Sequence, residues 1–387
     1  MKKRKIVILA KNIDSGTGIF VLKLLNLGRE FDVKIHILEK KRYTADEKDK
    51  GILYFSKKPT YRGYYGFSPM LLSELFREFI WFKNAVEEEK ADIVMSLNTH
   101  CNILSIVVKI ISKHKPKLVI YSDNNISAVV SSKLSWGLRY VLRILGAYLF
   151  NKADAVICVS YGVGEDFKKF FFIKKRVQTI YCGIDTAEIN KLKQVALSKK
   201  EKNMLAGDKL KIISVGRFEK QKDFATLIRA FAEVNRIIRN STLILIGDGT
   251  QKDYLEKLVK KLKLSPKVYF TGWKSNVVKY MGKADVFVLS SFYEGFGLVI
   301  LEAMAAGLPI ISTNSPYGPS EILGNGKYGL LVGVGDVGQL VNSCSVLLKD
   351  RKKLSSFSKK SKERVKYFSR EKMLRKYSAL FNNLIKK

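Results

Sequence analysis

Short apolar runs alternate with stretches of helical periodicity along most of the chain. In the first half, strand-like runs fall at residues 5–10, 33–38, 93–96, 118–121 and 155–159, and 177–181 closes the set. Between them apolar residues recur at three- and four-residue spacing, notably over 69–89, 103–112 and 133–150, which predicts helices. This alternation implies parallel βαβ units with helices on both faces of a sheet. After Asp185 comes a charged stretch poor in apolar residues, 186–208, which reads as a linker with some helix. A second alternating set follows, with runs at 212–215, 243–246, 268–270, 286–290, 310–312 and 330–332. From Arg351 the tail is basic and helical, and Phe368 and Ser369 divide its two helices.

The expected architecture is therefore α/β, with two doubly wound, Rossmann-like domains facing each other across a cleft. Residues 1–186 form the first domain, 187–208 the linker, and 209–368 the second domain. Residues 369–387 form a last helix, whose stripe of Leu374, Tyr377, Leu380, Phe381 and Leu384 suits it to docking.

A length of 387 residues accommodates two such cores, and a hydrophobic share of 47% indicates a folded chain. The four cysteines, Cys101, Cys158, Cys182 and Cys344, have neither metal-ligand nor disulfide-framework spacing. The opening MKKRKIVILA runs straight into the first strand pattern without a cleavage site, and no apolar run is long enough to span a bilayer. A reduced, cytoplasmic protein is expected. Seventy Lys and Arg against 35 Asp and Glu leave a formal charge of +35. Such a balance favours polyanions: nucleic acid, phosphorylated ligands or an anionic bilayer surface. The basic residues are spread along the chain and no nucleic-acid reader motif is present, so nucleic acid is not the expected partner.

Candidate chemistry concentrates in FYEGFGLVILEAMAAGLPII, where Glu294 and Glu302 stand eight positions apart. A strand runs into the turn Gly295-Phe296-Gly297, which lets backbone approach a ligand. The helix opening there has unpaired N–H groups and a positive dipole end. One carboxylate before that end and another about a turn and a half inside can accept from sugar hydroxyls while the helix end holds phosphate. A solvent-facing and a capping glutamate would give the same spacing. Other strand ends add Gly216, Arg217 and Lys222 after the run 212–215, and Gly272 and Trp273 after 268–270. Arg217 offers a planar fork and Lys222 a point charge for phosphate oxygens. Trp273 either stacks on a base or simply packs. No Asp-x-Asp pair adjoins a strand end and no metal-ligand spacing occurs, so no metal and no cofactor are expected.

This segment resembles the E-x7-E signature of the retaining nucleotide-sugar glycosyltransferases of family 4, which have the GT-B fold. SVGRFEKQKDFATLIRAF, LILIGDGTQKDYLEKLVKKL, VYFTGWKSNVVKYMGKADVFVLSS, GPSEIL and GKYGLLV extend the resemblance over about residues 211–332; NIDSGTGIFVLKLL, ADAVICVSYGVGEDF and IYCGIDTAEI extend it more weakly into the first half. The resemblance implies that Arg217 and Lys222 neutralise the donor diphosphate and stabilise the leaving group. It implies that Glu294 and the main chain of Phe296, Gly297 and Leu298 contact the transferred sugar and diphosphate, and that Glu302 accepts from ribose hydroxyls. It also implies retention of anomeric configuration and a last helix that crosses back to the first domain. The family usually shows glycine after the lysine; Asp223 stands there and can cap a helix.

On the acceptor side the chain is less explicit. Gly16 and Gly18 in DSGTG either admit the diphosphate or acceptor or make a tight turn. Where many relatives carry a histidine, YSDNNIS offers Asp123, Asn124 and Asn125. His100, after the run 93–96, is the one histidine at a strand's carboxyl end, as a site residue or a polar loop residue. Two segments, 132–150 and 168–176, combine aromatic with basic residues as interfacial helices do, and core helices with snorkelling cations share that composition. The expected function is transfer of a hexose or N-acetylhexosamine from a nucleoside-diphosphate sugar, UDP first, to a glycan or lipid-linked acceptor. The expected location is peripheral, at the inner face of an anionic membrane. A soluble acceptor, or a nucleotide-sugar-binding scaffold without activity, are the alternatives.

Overall fold

The structure is a computed structural model that describes residues 3–11, 16–39, 52–56, 69–133 and 135–386. It divides into two units, residues 1–183 with 370–387, and residues 184–369. In the first unit the strands are β1 (Arg4–Ala10), β2 (Phe31–Glu39), β3 (Ile52–Ser56), β4 (Ile93–Leu97), β5 (Lys117–Ser122), β6 (Ala155–Cys158) and β7 (Val177–Thr179). They form one parallel sheet in the order β3-β2-β1-β4-β5-β6-β7. In the second unit, β8 (Leu210–Val215), β9 (Ser241–Ile246), β10 (Val268–Phe270), β11 (Val286–Leu289), β12 (Ile310–Thr313) and β13 (Leu330–Val332) pair in the order β10-β9-β8-β11-β12-β13, again parallel. Edge strand β3 has no counterpart among the expected runs.

The strands are apolar throughout because both sheet faces are covered. Ile6 to Ala10, Ile93 to Met95 and Leu118 to Tyr121 are all buried. In the second unit Phe218, Phe224, Leu227, Ile228 and Phe231 pack over β8 and β9 with Leu243 and Leu245. The last helix, Arg370–Lys386, belongs to the first unit. Tyr377 lies 5.8 Å from Phe20 and Phe381 lies 5.8 Å from Phe31, ring centre to ring centre. Met373 joins Tyr377, Leu380, Phe381 and Leu384 in its buried stripe, while Leu374 is only partly covered.

Two expectations change. Residues 187–208, expected as a linker with some helix, belong to the second unit, with the helices Thr186–Gln194 and Lys199–Leu205. Local caps hold them in place of an apolar stripe: the Asp185 carboxylate accepts from the N–H groups of Ala187 and Glu188, and Ser198 and Glu201 form a capping box. Glu201 also accepts from the Tyr280 hydroxyl and from Lys279 at 2.9 Å. These partners hold its carboxyl down at about 2. The helix expected over 133–150 starts later, as Trp136–Phe150, and a separate helix, Ile126–Lys133, precedes it. Among the described residues, no helix is long and apolar enough to cross a membrane.

His36 on β2 is buried edge-on to Trp81 at 5.3 Å and Phe82 at 6.1 Å, and neither ring nitrogen has a hydrogen-bond partner among the described residues. Burial pushes its imidazole from 6.5 down to about 4. The unfolded chain therefore takes up this proton first as pH falls, and the stability present above pH 6.5 drains away toward pH 4. Denaturant unfolding at pH 7.5 and 4.5 should show His36→Leu removing up to about 3 kcal/mol of the acid loss seen in the parent chain. An equal loss in both would place the acid sensitivity elsewhere.

Candidate active site

The order of the second sheet reverses between β8 and β11, which lie side by side. In doubly wound sheets the crevice for a ligand opens outside the carboxyl ends of the strands at this reversal. The loop after β8 carries Gly216, Arg217 and Lys222, and the loop after β11 carries Ser291 and Glu294. Lys222 Nζ donates to Glu294 Oε1 at 2.5 Å, and Ser291 Oγ donates to the same oxygen at 2.6 Å. The pair lies within the surface, with side-chain exposures of 16% for Lys222 and 7% for Glu294. The other oxygen, Oε2, accepts no hydrogen bond among the described residues. One face of the carboxylate is thus held by a cation and a hydroxyl, and the other remains to receive a ligand donor.

Main chain fixes the two loops to each other. Phe292 N–H donates to Gln221 O at 2.8 Å, Gln221 Nε2 to Tyr293 O at 2.9 Å, and Ser290 Oγ to Lys222 O at 2.9 Å. Glu294 N–H donates to Pro316 O, and Tyr317 N–H returns to Glu294 O, both at 2.8 Å. Gly318, at φ +91°, approaches so closely that an added Cβ would stand 2.4 Å from Phe296 O. Asp223, at φ +44°, adopts the left-handed conformation that suits the glycine usual at this position, and its carboxylate caps the following helix at Thr226 N–H. Burial pushes that carboxyl up, and the Thr226 hydrogen bond opposes the shift.

The helix Leu298–Ala306 starts from Gly297 at φ +94° with no side-chain cap, so its positive end is open to an anion. Glu302 stands in its second turn, partly buried. Arg217 is exposed, and its guanidinium has no partner among the described residues. Trp273 is half exposed after Gly272, whose carbonyl accepts from Gly247 N–H at 3.1 Å. Gly216, Gly272, Gly295, Phe296, Gly297 and Leu298 therefore all lie on loops or a helix start at the carboxyl ends of β8, β10 and β11.

In the first unit, His100 opens the helix Thr99–Ile111 after β4, and its Nε2 lies 2.8 Å from Glu78 Oε2. Glu78 comes from the helix Pro69–Glu89 and is buried. Asp123 follows the neighbouring strand β5 and accepts from Asn124 Nδ2 at 2.6 Å. Gly16 and Gly18 lie in the first turn of the helix Gly16–Leu24, and residues 12–15 before it are outside the described set.

Sequence reasoning missed Ser291, Gln221, Glu78 and the Gly247-Asp248-Gly249 turn. The last had a visible signal, two glycines directly after an apolar run. A Cβ on Gly247 would stand 1.9 Å from Gly216 O, and one on Gly249 2.6 Å from Phe218 O. The turn is thereby pressed against the loop after β8, with Phe218 N–H donating to Asp248 O at 2.9 Å. Ser291 and Glu78 carried no such mark, being single polar residues whose partners only folding supplies.

The family model described as Glycosyltransferase Family 4 matches residues 15–188, and that for Glycosyl transferases group 1 matches residues 196–364. The chain belongs to glycosyltransferase family 4. Among its relatives in this family is the N-acetylgalactosamine-N,N'-diacetylbacillosaminyl-diphospho-undecaprenol 4-alpha-N-acetylgalactosaminyltransferase of Campylobacter jejuni, 32% identical over 66% of this chain and 65% of that one. The N-acetyl-alpha-D-glucosaminyl L-malate synthase of Bacillus anthracis is 30% identical over 61% of each chain. The match thus spans less than two thirds of the length of these relatives. Two solved structures share the fold. Anabaena HepE in complex with UDP and glucose has a TM-score of 0.78 at 19% identity, covering 98% of this chain and 100% of that one. Sucrose-phosphate synthase from Thermosynechococcus elongatus reaches 0.80 at 21% identity, covering 99% of each.

Proposed function

We propose that this family 4 protein is a retaining glycosyltransferase that moves a hexose or N-acetylhexosamine from a UDP-sugar to a lipid-linked or cell-surface glycan, without a metal. The observation that carries this reading is the sheltered Lys222–Glu294 pair at the sheet reversal, beside the uncapped start of the helix Leu298–Ala306. That arrangement sets positive charge and carboxylate oxygens within reach of one small molecule, as a sugar diphosphate requires. The names of the relatives, which include a diphospho-undecaprenol N-acetylgalactosaminyltransferase, favour a lipid-carried acceptor and an N-acetylhexosamine. The UDP bound to HepE favours uridine. An acceptor on a lipid carrier is met at a bilayer, so peripheral association with the cytoplasmic face of a membrane belongs to the same reading.

In the proposed reaction the acceptor oxygen bonds to the anomeric carbon from the face the diphosphate leaves. The bond from that carbon to the diphosphate oxygen breaks, and the acceptor proton passes to the departing phosphate. Arg217, Lys222 and the N–H groups at Leu298 neutralise the charge that builds on the leaving group. Glu294 Oε2 and Glu302 accept from hydroxyls of the sugar and the ribose. Neither glutamate acts as nucleophile; the rate comes from positioning and charge stabilisation.

Arg217→Ala provides the test. Its side chain is exposed and unpartnered among the described residues, so the melting temperature should not move, while turnover of UDP-sugar to UDP falls roughly 10²-fold. Product analysis by NMR should give the anomer of the donor. UDP release that survives both Arg217→Ala and Glu294→Ala would remove the site from the reaction.

A further inference from the structure

The helix Trp136–Phe150 turns its apolar side chains outward. Leu138, Tyr140, Val141, Ile144, Leu145 and Tyr148 are each at least 50% exposed. At 100° per residue they share one arc of about 160°, with no charged or amide side chain in it. Trp136 at its start is 81% exposed. The opposite side packs inward: Gly146 and Phe150 are buried there, beside the part-buried Arg139 and Arg143, and a Cβ on Gly146 would stand 2.3 Å from the Phe171 ring. Phe171, part of the segment expected to lie at an interface, is thus core, packed on Phe150 with ring centres 4.5 Å apart. Ile110 and Ile111, on the helix Thr99–Ile111 that packs against Trp136–Phe150, are exposed as well. Contiguous exposed apolar surface of this kind marks an interaction face.

The rim of the face is basic and aromatic. Phe172 is 56% exposed, held by Asn151 Nδ2 at its carbonyl and by the Arg143 guanidinium 4.2 Å over its ring. Lys152 stands 4.9 Å over the Tyr148 ring, and exposed Lys174 is anchored through its N–H to Asn151 Oδ1 at 3.0 Å. Lys168, Lys169 and Arg176 nearby in sequence are exposed or half-buried. An apolar face with aromatic and cationic residues at its edge matches the boundary between acyl chains and anionic headgroups. A second copy of this chain would bring the same positive rim against itself, in a molecule of net charge +35.

We infer that the outward face of the helix Trp136–Phe150 seats the protein on an anionic lipid bilayer, with Lys152 and Lys174 at the headgroups. The inference deepens the lipid-linked reading above, on which the choice of bilayer rests in part, but its test reads binding and not sugar transfer. The full chain should co-sediment with vesicles of phosphatidylcholine and phosphatidylglycerol, weakly with phosphatidylcholine alone, and less at high salt. Lys152→Ala/Lys174→Ala should weaken the partition about 30-fold, since each cation near an anionic surface contributes about fivefold. Ile144→Glu/Leu145→Glu, on exposed positions, should abolish it with the circular dichroism unchanged. Failure of the parent chain to bind anionic vesicles would overturn the inference, as would a glutamate variant that binds like it. So would a dimer in analytical centrifugation that the glutamate variant dissociates, because the face would then join two copies. Vesicle binding in a chain that releases no UDP would instead sink the donor reading and leave the lipid face standing.

Discussion

Lys222→Ala should lower turnover by about 10²–10³-fold and stability by about 3–5 kcal/mol. Both effects follow from one contact. Lys222 Nζ is 2.5 Å from a Glu294 carboxylate that is 7% exposed, so removing the cation leaves a sheltered charge whose remaining side-chain partner among the described residues is the Ser291 hydroxyl. The same change takes away the point charge assigned to the leaving diphosphate. The two consequences separate in a double variant. Lys222→Met/Glu294→Gln replaces the ion pair with neutral groups of similar size, and should recover most of the melting temperature while remaining inactive. Calorimetric melting together with single-turnover kinetics reads both. A Lys222→Ala protein with parental melting and parental turnover would show that the pair is an ordinary surface contact.

Gly247→Ala should cost about 3 kcal/mol and abolish donor binding. The methyl group would sit 1.9 Å from Gly216 O, on a residue at φ +152°. Relief requires the loop after β9 to retreat from the loop after β8, and that retreat also breaks the Gly247 N–H bond to Gly272 O. Gly335→Ala is the control. It has φ +74° but nothing within 4 Å of the new methyl, so it bears backbone strain alone and should cost about 1 kcal/mol. Equal melting temperatures for the two variants would mean that the close approach of the loops has no energetic weight.

The strands were readable because both faces of each sheet are covered, which leaves uninterrupted apolar runs such as those of β1, β5 and β11. The site was readable as far as its loops, since residues directly after such runs border the ligand crevice of a doubly wound sheet, and glycines and charges mark them there. The contact between residues 72 positions apart, Lys222 and Glu294, was not. Only the reversal of strand order between β8 and β11 brings their loops together, and strand order leaves no local trace in a chain. Glu78 was hidden for a related reason, as one more acidic residue on a charged helix until His100 meets it. Residues 187–208 misled through polarity: their helices rest on caps and on the Glu201 contacts with Lys279 and Tyr280, which leave no apolar period to detect.

Cys101, Cys158, Cys182 and Cys344 are all buried. Burial pushes the Cys182 thiol up to about 11 and the Cys344 thiol up to about 12, and raises Cys158 further. Alkylating reagents act on thiolates, which Cys158, Cys182 and Cys344 are held back from forming, and Cys101 is shielded by burial. The native protein should therefore be silent toward maleimides, and a single cysteine introduced on an exposed position should become the attachment point for a fluorophore or spin label.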